Sequence, residues 1–397
     1  MKPLHDIRVL DLTNVLAGPF CCHQLAHMGA DVIKVESPTG DLARQLGADP
    51  ELNERRMGVS FLAQNPGKRS IRLDLKQASG KRLFKRLVRS ADVLVENFRP
   101  GVMNRLDLGF DALKEENPRL VYCAISGFGQ EGPLRDLPAY DQIIQGMSGI
   151  MSITGAPDTA PYRVGFPVSD TIGGMTAAFA VASILAQGEG REAVLIDVSM
   201  LEASLVTMGW VVSNYLIAGK EPVPMGNENF TASPSGTFTT GDGLINIAAN
   251  KQEQFEAVCR VVGRPELIGD TRFATRQARL EHRFELKGIL EDAMQSHTAG
   301  HWVDALNEAG VPAGPVLTVP QALAHPQIAG RGMIGEFNQV PGVGRDISLL
   351  RTGIKLNGEA SVVDAPPPRL GEHGEEILRE LGLGDAEIDD LRKENLL

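Results

Sequence analysis

The stretch that decides the fold is residues 7–36, IRVLDLTNVLAGPFCCHQLAHMGADVIKVE. IRVLDL (7–12) is an apolar run, the loop TNVLAGP follows it, and FCCHQLAHM and ADVIKVE (30–36) come next. The spacing predicts strand, helix and parallel strand. Pro19 suits the first helical position, where its missing N–H would have no partner anyway. Gly29 suits the stop, since it can adopt the left-handed backbone that ends helices.

The unit recurs in KRSIRLDL (68–75), a helix over QASGKRLFKRLVRS, and ADVLVENF (91–98). FDALKEENP and RLVYCAISGFG (119–129) repeat it again. Helices near 140–150 and 171–187, a strand EAVLIDVSM (192–200) and a long helix over 201–218 extend the pattern. Strands alternating with helices in this way predict an α/β fold, a parallel sheet covered on both faces.

After Gly219 the composition changes: EPVPMGNENFTASPSGTFTTGDG is rich in Pro, Gly, Asn, Ser and Thr and reads as a linker or long loop. A strand, LINIAA (244–249), amphipathic helices over 251–262, 281–294 and 299–309, and GVPAGPV (310–316) make a smaller α+β domain. The expected organisation is a large Rossmann-like domain over 1–219, a small domain with linkers over 220–330, and a segment 331–397 returning to the large domain.

The 397 residues are enough for a large core and more than one domain. A net charge of −11 without a basic tract argues against nucleic acid as a partner. The four cysteines make no CxxC pair, so a zinc or redox site is not expected. With no signal-peptide pattern at the N-terminus, the expected compartment is the cytoplasm. Segments 171–187 and 198–218 are apolar, but the first is short of a membrane span and the second carries Glu202. Both are read as core helices.

The loop TNVLAGPF stands at the C-terminal end of the first strand, where open α/β sheets bind ligands, though a plain connector fits it as well. GFGQEG (127–132) matches G-x-G-x-x-G, yet Pro133 and Pro138 keep a helix from opening there, which argues against a nicotinamide fingerprint. His23 with His27, and His297 with His301, share helix faces without an acid to complete a metal site. No G-x-S-x-G elbow or Walker A loop occurs.

VGFPVSDTIGGMTAAFAVASIL (164–185) sets one acid, Asp170, before an apolar helix. Aspartate is a common N-cap. A carboxylate held at a helix N-terminus, ionised and stabilised by the N–H groups, can also attack a thioester. Gly173 and Gly174 would let a substrate approach the backbone. On spacing alone the capping reading is the simpler one.

VLDLTNVLAGPF, GADVIKVE, GKRSIRLDLK, VENFRPG, ISGFGQEGP, YDQIIQGMSG, the Asp170 segment, GVPAGPV and LGEHGEEIL occur in this order. Together, from residue 5 to 395, they resemble the class III coenzyme A transferases: the formyl-CoA, carnitine and succinyl-CoA:dicarboxylate transferases. The resemblance implies that Asp170 is the catalytic nucleophile. It implies a coenzyme A site at Val15, Leu16, Ala17, Leu73, Lys76, Asn97, Phe98, Arg105 and Tyr140. It also implies an acyl-CoA thioester as co-substrate with no permanently bound cofactor, and an interlocked homodimer.

Two departures narrow the expectation. The α-methylacyl-CoA racemases on the same fold carry a histidine immediately before the acid of AYDQII; here Tyr140 precedes Asp141, which favours transfer over racemisation. The glycine run of formyl-CoA transferases is replaced by NFTASPSGTF (229–238), which argues against oxalate–formate exchange. Arg163, seven residues before Asp170, and Arg44 are the expected clamps for the far carboxylate of an acceptor such as succinate, malate, mesaconate, itaconate, citramalate or glutarate. A racemase-like enzyme and a non-catalytic coenzyme A-binding protein are the alternatives.

Overall fold

A computed structural model describes residues 1–188 and 190–393; the last residues of the expected C-terminal segment, 394–397, lie outside it. Arg8–Asp11 (β1), Asp31–Glu36 (β2), Lys68–Arg72 (β3), Val93–Glu96 (β4), Val121–Ser126 (β5) and Val194–Ser199 (β6) form one parallel sheet in the order β3-β2-β1-β4-β5-β6. The chain leaves β3 at one edge and re-enters beside β1, so the order reverses between β1 and β4. Ligands of open α/β sheets bind in the crevice at such a reversal, beyond the carboxyl ends of the strands.

Four helices position that crevice, Ala17–His27 (α1), Asp141–Met147 (α2), Val168–Leu185 (α3) and Met200–Thr207 (α4), and Gly209–Ala218 (α5) follows the last. The first begins two residues before Pro19, which still falls in the opening turn where an N–H has no intrahelical acceptor. Gly29 ends it at φ +102°. The long helix expected over 201–218 is two helices meeting at 78°, with the break at Gly209. At 18 residues α3 is long and apolar enough to cross a membrane, contrary to the expectation that it falls short. It packs against α1, α2, α4, β5 and β6, as a core helix does.

Gly173 and Gly174 have a packing role rather than the substrate-access role expected of them. A Cβ on Gly174 would lie 2.4 Å from the carbonyl oxygen of Ala17, and one on Gly173 would lie 2.9 Å from Met200 Cγ. The missing side chains let α3 press against the first turn of α1 at Gly174 and against the start of α4 at Gly173, and Asp170 stands with the loop after β1 on one cavity wall.

The chain divides into two compact units, one of residues 1–150, 163–220 and 326–397, the other of 151–162 and 221–325. The short segment 151–162 therefore leaves the large unit, and the small one ends at 325. In the small unit Ser235–Thr239, Leu244–Ala248 and Ala313–Pro315 (β7, β8 and β9) make an antiparallel sheet. Its core is Phe238, Ile245, Phe255, Leu286, Leu290 and Trp302 with their neighbours. The loop NFTASPSGTF is pinned there by arginines. Arg276 and Arg283 donate to the carbonyls of Thr231 (2.7 Å) and Asn229 (3.0 Å), and Arg279 donates to that of Ser233 (3.0 Å).

Candidate active site

The large sheet is apolar in sequence pattern but carries a charged seam. Asp11, Lys34, Glu36, Asp41, Arg44 and Lys68 are all buried. Each charge has a partner, as a low-dielectric interior requires. Lys68 Nζ meets Asp11 at 2.8 Å, Lys34 Nζ lies 3.1 Å from Asp41, and Arg44 grips Glu36 through two bonds of 2.7 and 2.8 Å. Burial works against ionisation of Asp11, yet Lys34 and Lys68 prevail and hold its carboxyl down at about 2.

Arg44 belongs to this seam, which corrects its expected role at the acceptor. Its guanidinium lies 3.6 Å from the ring centroid of Phe61, donates to the Pro368 carbonyl at 3.2 Å, and is 0% exposed. No solute carboxylate reaches a cation consumed in this way.

Above the seam, three successive backbone N–H groups of the loop after β1 are taken by side chains. Thr13 N–H donates to Asp11 (2.9 Å), Asn14 N–H to Asn97 Oδ1 (2.8 Å), and Val15 N–H to Asp41 Oδ1 (3.0 Å). Asn97 Nδ2 returns a bond to the Asn14 carbonyl at 2.9 Å, tying the ends of β1 and β4 across the reversal point. Glu96, buried so that its pKa rises to about 7, accepts the Phe98 N–H at 2.7 Å and holds the next residues of the β4 loop.

Beyond these loops lies a cavity of about 200 Å³ walled by Asn14, Val15, Leu16, Ala17, Asn97, Phe98, Arg99, Ser126, Tyr140, Asp170 and neighbours. A second cavity, of about 310 Å³, shares Asn14 and Phe98 with it and adds Leu73, Lys76, Val102 and Arg105. The residues expected at coenzyme A thus divide between two adjoining cavities. Val15, Leu16, Ala17, Asn97 and Tyr140 stand with Asp170, Leu73, Lys76 and Arg105 stand next door, and Phe98 stands in both. Lys76 and Arg105 are exposed, and neither side chain has an ion-pair partner among the described residues. Arg163 is exposed and lines neither cavity; its neighbour Val164 donates to Gln145. Arg99 carries the positive charge on the Asp170 cavity wall, a position the sequence reading passed over.

Asp170 is not the cap of its helix, although it stands in the first turn. It is the third residue of α3, whose N-cap is Pro167. The cap is supplied from α2: Asp141 Oδ1 accepts from Ser169 N–H at 2.8 Å and Asp170 N–H at 3.4 Å. Gln145 fixes Asp141 at 2.6 Å and receives Val164 N–H at 2.8 Å, which seats the approach to the helix. Burial, then the Asp141 charge, push the Asp170 carboxyl up to about 7, against the low value its helix position suggests. In the sequence Asp141 is only the acid that follows Tyr140; its reach across to α3 is what shows it as a cap.

Among the described residues no group of three or more His, Cys, Asp and Glu side chains could hold a metal. GFGQEG opens no helix; the next one starts at Asp141.

Comparison with known proteins follows the same line. A family model described as CoA-transferase family III matches residues 4–374. The chain is 37% identical over 392 residues to the succinate–glutarate CoA-transferase of Agrobacterium fabrum, covering 96% of each. It is 39% identical over 388 residues to the acetyl-CoA:oxalate CoA-transferase of Acetobacter aceti, covering 97% of each. The crystal structure of a CAIB/BAIF family protein from Brucella suis superposes with a TM-score of 0.83 at 37% identity, covering 96% of this chain and 99% of that one.

Proposed function

The chain belongs to CoA-transferase family III, and from that premise we propose that it moves coenzyme A from succinyl-CoA to a small dicarboxylic acid through covalent intermediates on Asp170. The observation that carries the reading is the pair of adjoining cavities, one holding the desolvated Asp170 carboxyl and the other the exposed Lys76 and Arg105. Phosphates of coenzyme A suit two exposed cations, and the pantetheine arm would then pass Phe98 and Asn14 to bring the thioester to Asp170.

The steps follow from the carboxylate. Ionised Asp170 attacks the thioester carbonyl; the C–S bond breaks, leaving an aspartyl–succinyl anhydride and coenzyme A thiolate. The thiolate attacks the aspartyl carbonyl, forming an aspartyl–CoA thioester and releasing succinate. The acceptor carboxylate attacks that thioester to give a new anhydride and thiolate. The thiolate then takes the acceptor's acyl carbon, which restores Asp170 and yields the new acyl-CoA. Each exchange conserves the activated acyl bond, so water must be kept away. A cavity walled by Val15, Leu16, Phe98 and Met200 suits that need.

Developing negative charge on the attacked oxygen needs donors. Helix α1 has no side-chain cap, and Leu16 and Ala17 of its opening turn line the cavity. With the N–H groups of residues 13–15 engaged elsewhere, the free donors of this turn are the ones that can meet an oxyanion.

The relatives' names support a dicarboxylate acceptor, glutarate in one and oxalate in another. With Arg44 consumed in the core, Arg99 on the cavity wall takes precedence over the outlying Arg163 as the group for the acceptor's far carboxylate. Tyr140 on the wall, where a two-base racemase needs an exchangeable base, favours transfer. The enzyme works as a homodimer in this reading. Trp210 and Ile217 on α5 and Phe179 on α3 are 77, 86 and 74% exposed, and α5 has no buried residue in the single chain.

Incubation with succinyl-CoA, quenching with hydroxylamine and mass analysis of the peptide containing Asp170 tests the mechanism. A hydroxamate on Asp170 is expected. An unmodified aspartate across several acyl-CoA donors would remove the covalent route. A panel of acceptor acids with a fixed donor then identifies the product.

A further inference from the structure

Val15 has φ +67°, and it is the β-branched member of the five non-glycine residues with positive φ among those described. A branched Cβ clashes in that conformation, so the surrounding structure must enforce it. The enforcing contact is visible. Asp41, 1% exposed, follows β2 and directs Oδ1 at both the Val15 N–H (3.0 Å) and the Ala43 N–H (2.9 Å). Its other oxygen lies 3.1 Å from Lys34 Nζ, and the same ammonium donates to the Thr13 carbonyl at 2.8 Å. Lys34 and Asp41 therefore hold the loop at Thr13 and at Val15, the residue that turns it.

The turn at Val15 has a directional consequence. With Val15 left-handed, its N–H points down into the charged seam and the chain enters α1 immediately, with Leu16 and Ala17 on the cavity wall beside Asp170. An extended residue there would carry the opening turn of α1 along a different path. Neither Lys34 nor Asp41 lines the Asp170 cavity, so any effect on catalysis must pass through the loop.

We infer that Asp41 is a positioning residue for transfer: anchored by Lys34, it holds Val15 left-handed and thereby aims the first turn of α1 at the carboxylate chemistry on Asp170. The catalytic part of this inference rests on the transferase reading above; the backbone part does not.

Glycine adopts positive φ freely, so Val15→Gly removes the need for enforcement. The test is a double-mutant cycle of Asp41→Ala and Val15→Gly, read both in steady-state transfer from succinyl-CoA and in thermal unfolding. With Val15 in place, Asp41→Ala is expected to lower kcat about tenfold or more, with little change in KM for the thioester; in the Val15→Gly background the loss should be less than about threefold. The melting temperature should show the same non-additivity. Asp41→Asn, whose amide oxygen can still accept from Val15, should fall between Asp41→Ala and the parent protein, and it supplies the cycle if Asp41→Ala does not fold. Equal losses with and without Val15→Gly in both readouts overturn the inference, as does a loss confined to KM. Coupling in melting temperature together with absence of transfer by the parent protein overturns the transferase reading and leaves the backbone role of Asp41 standing.

Discussion

The carboxylate of Asp141 caps the helix that carries Asp170, accepting the backbone N–H groups of Ser169 at 2.8 Å and of Asp170 itself at 3.4 Å. One acid thus occupies the anion-favouring end of α3, and the other stands beside it in a desolvated wall. Ionisation of Asp170 is opposed first by burial and then by that neighbour.

The rate of transfer should therefore depend on pH near neutrality. The nucleophile is the ionised form, so kcat/KM is expected to rise as pH increases through about 7, the raised value for Asp170. Asp141→Asn keeps an oxygen for the Ser169 N–H but removes the like charge, and should move the midpoint down by about one unit or less. Burial, the larger cause, keeps it above the ordinary aspartate range. A profile unchanged by Asp141→Asn would show that the two acids do not communicate.

Stability should move in the opposite sense. An acid raised in the folded state withdraws stability as pH climbs from its ordinary value of 3.8, where the unfolded chain ionises, to about 7, where the folded one does. Asp170→Asn should abolish transfer yet be more stable than the parent at pH 8, by an amount on the order of 4 kcal/mol, with the difference vanishing below about pH 4. Parallel melting curves across that range would contradict the raised value.

Lys76→Ala and Arg105→Ala should each raise KM for the acyl-CoA about tenfold with little change in kcat, because phosphates are bound alike in ground and transition states. The effect should shrink at high ionic strength as exposed charges are screened. Initial rates at two salt concentrations decide this.

Arg44→Ala should behave as a core lesion. It leaves Glu36 buried without its cation, at a cost of about 3–5 kcal/mol, and the loss of activity should be the same with every acceptor acid. Selective loss with dicarboxylates alone would return Arg44 to the substrate. Arg99→Ala should show that selectivity instead.

Ile217→Asp places a charge on a helix face that is apolar and exposed in the single chain. Sedimentation is expected to show a dimer for the parent protein and a shift toward monomer for this variant. A parent protein that sediments as a monomer would reject the homodimer.

The order of elements in the large unit was readable in advance because strands buried on both faces leave unbroken apolar runs, as in VLV (93–95) and VYCAI (121–125). Boundaries were less readable: the run 201–218 is mostly apolar on both sides of the bend, and a lone glycine such as Gly209 is also tolerated inside a continuous helix. Of the site residues, Arg44 misled for a physical reason. A guanidinium following a βαβ unit looks the same in sequence whether it faces solvent or a buried glutamate. Lys34 and Lys68, charged residues inside central strands, likewise have no local signature distinguishing a solvated face from a charged seam.

What the sequence alone determined is the alternation of strand and helix, the transferase resemblance and the presence of one acid before an apolar helix. These depend on local periodicity and on motif order, and both survive without knowledge of contacts. Tertiary structure decided what that acid is. Contacts between residues far apart in the chain closed Gly174 onto Ala17, carried the Asp141 cap to α3 and drew the Asp41 carboxylate beneath Val15. Desolvation and neighbouring charge act over a few ångströms of space rather than over sequence distance, so the raised pKa of Asp170 exists only once the chain has folded.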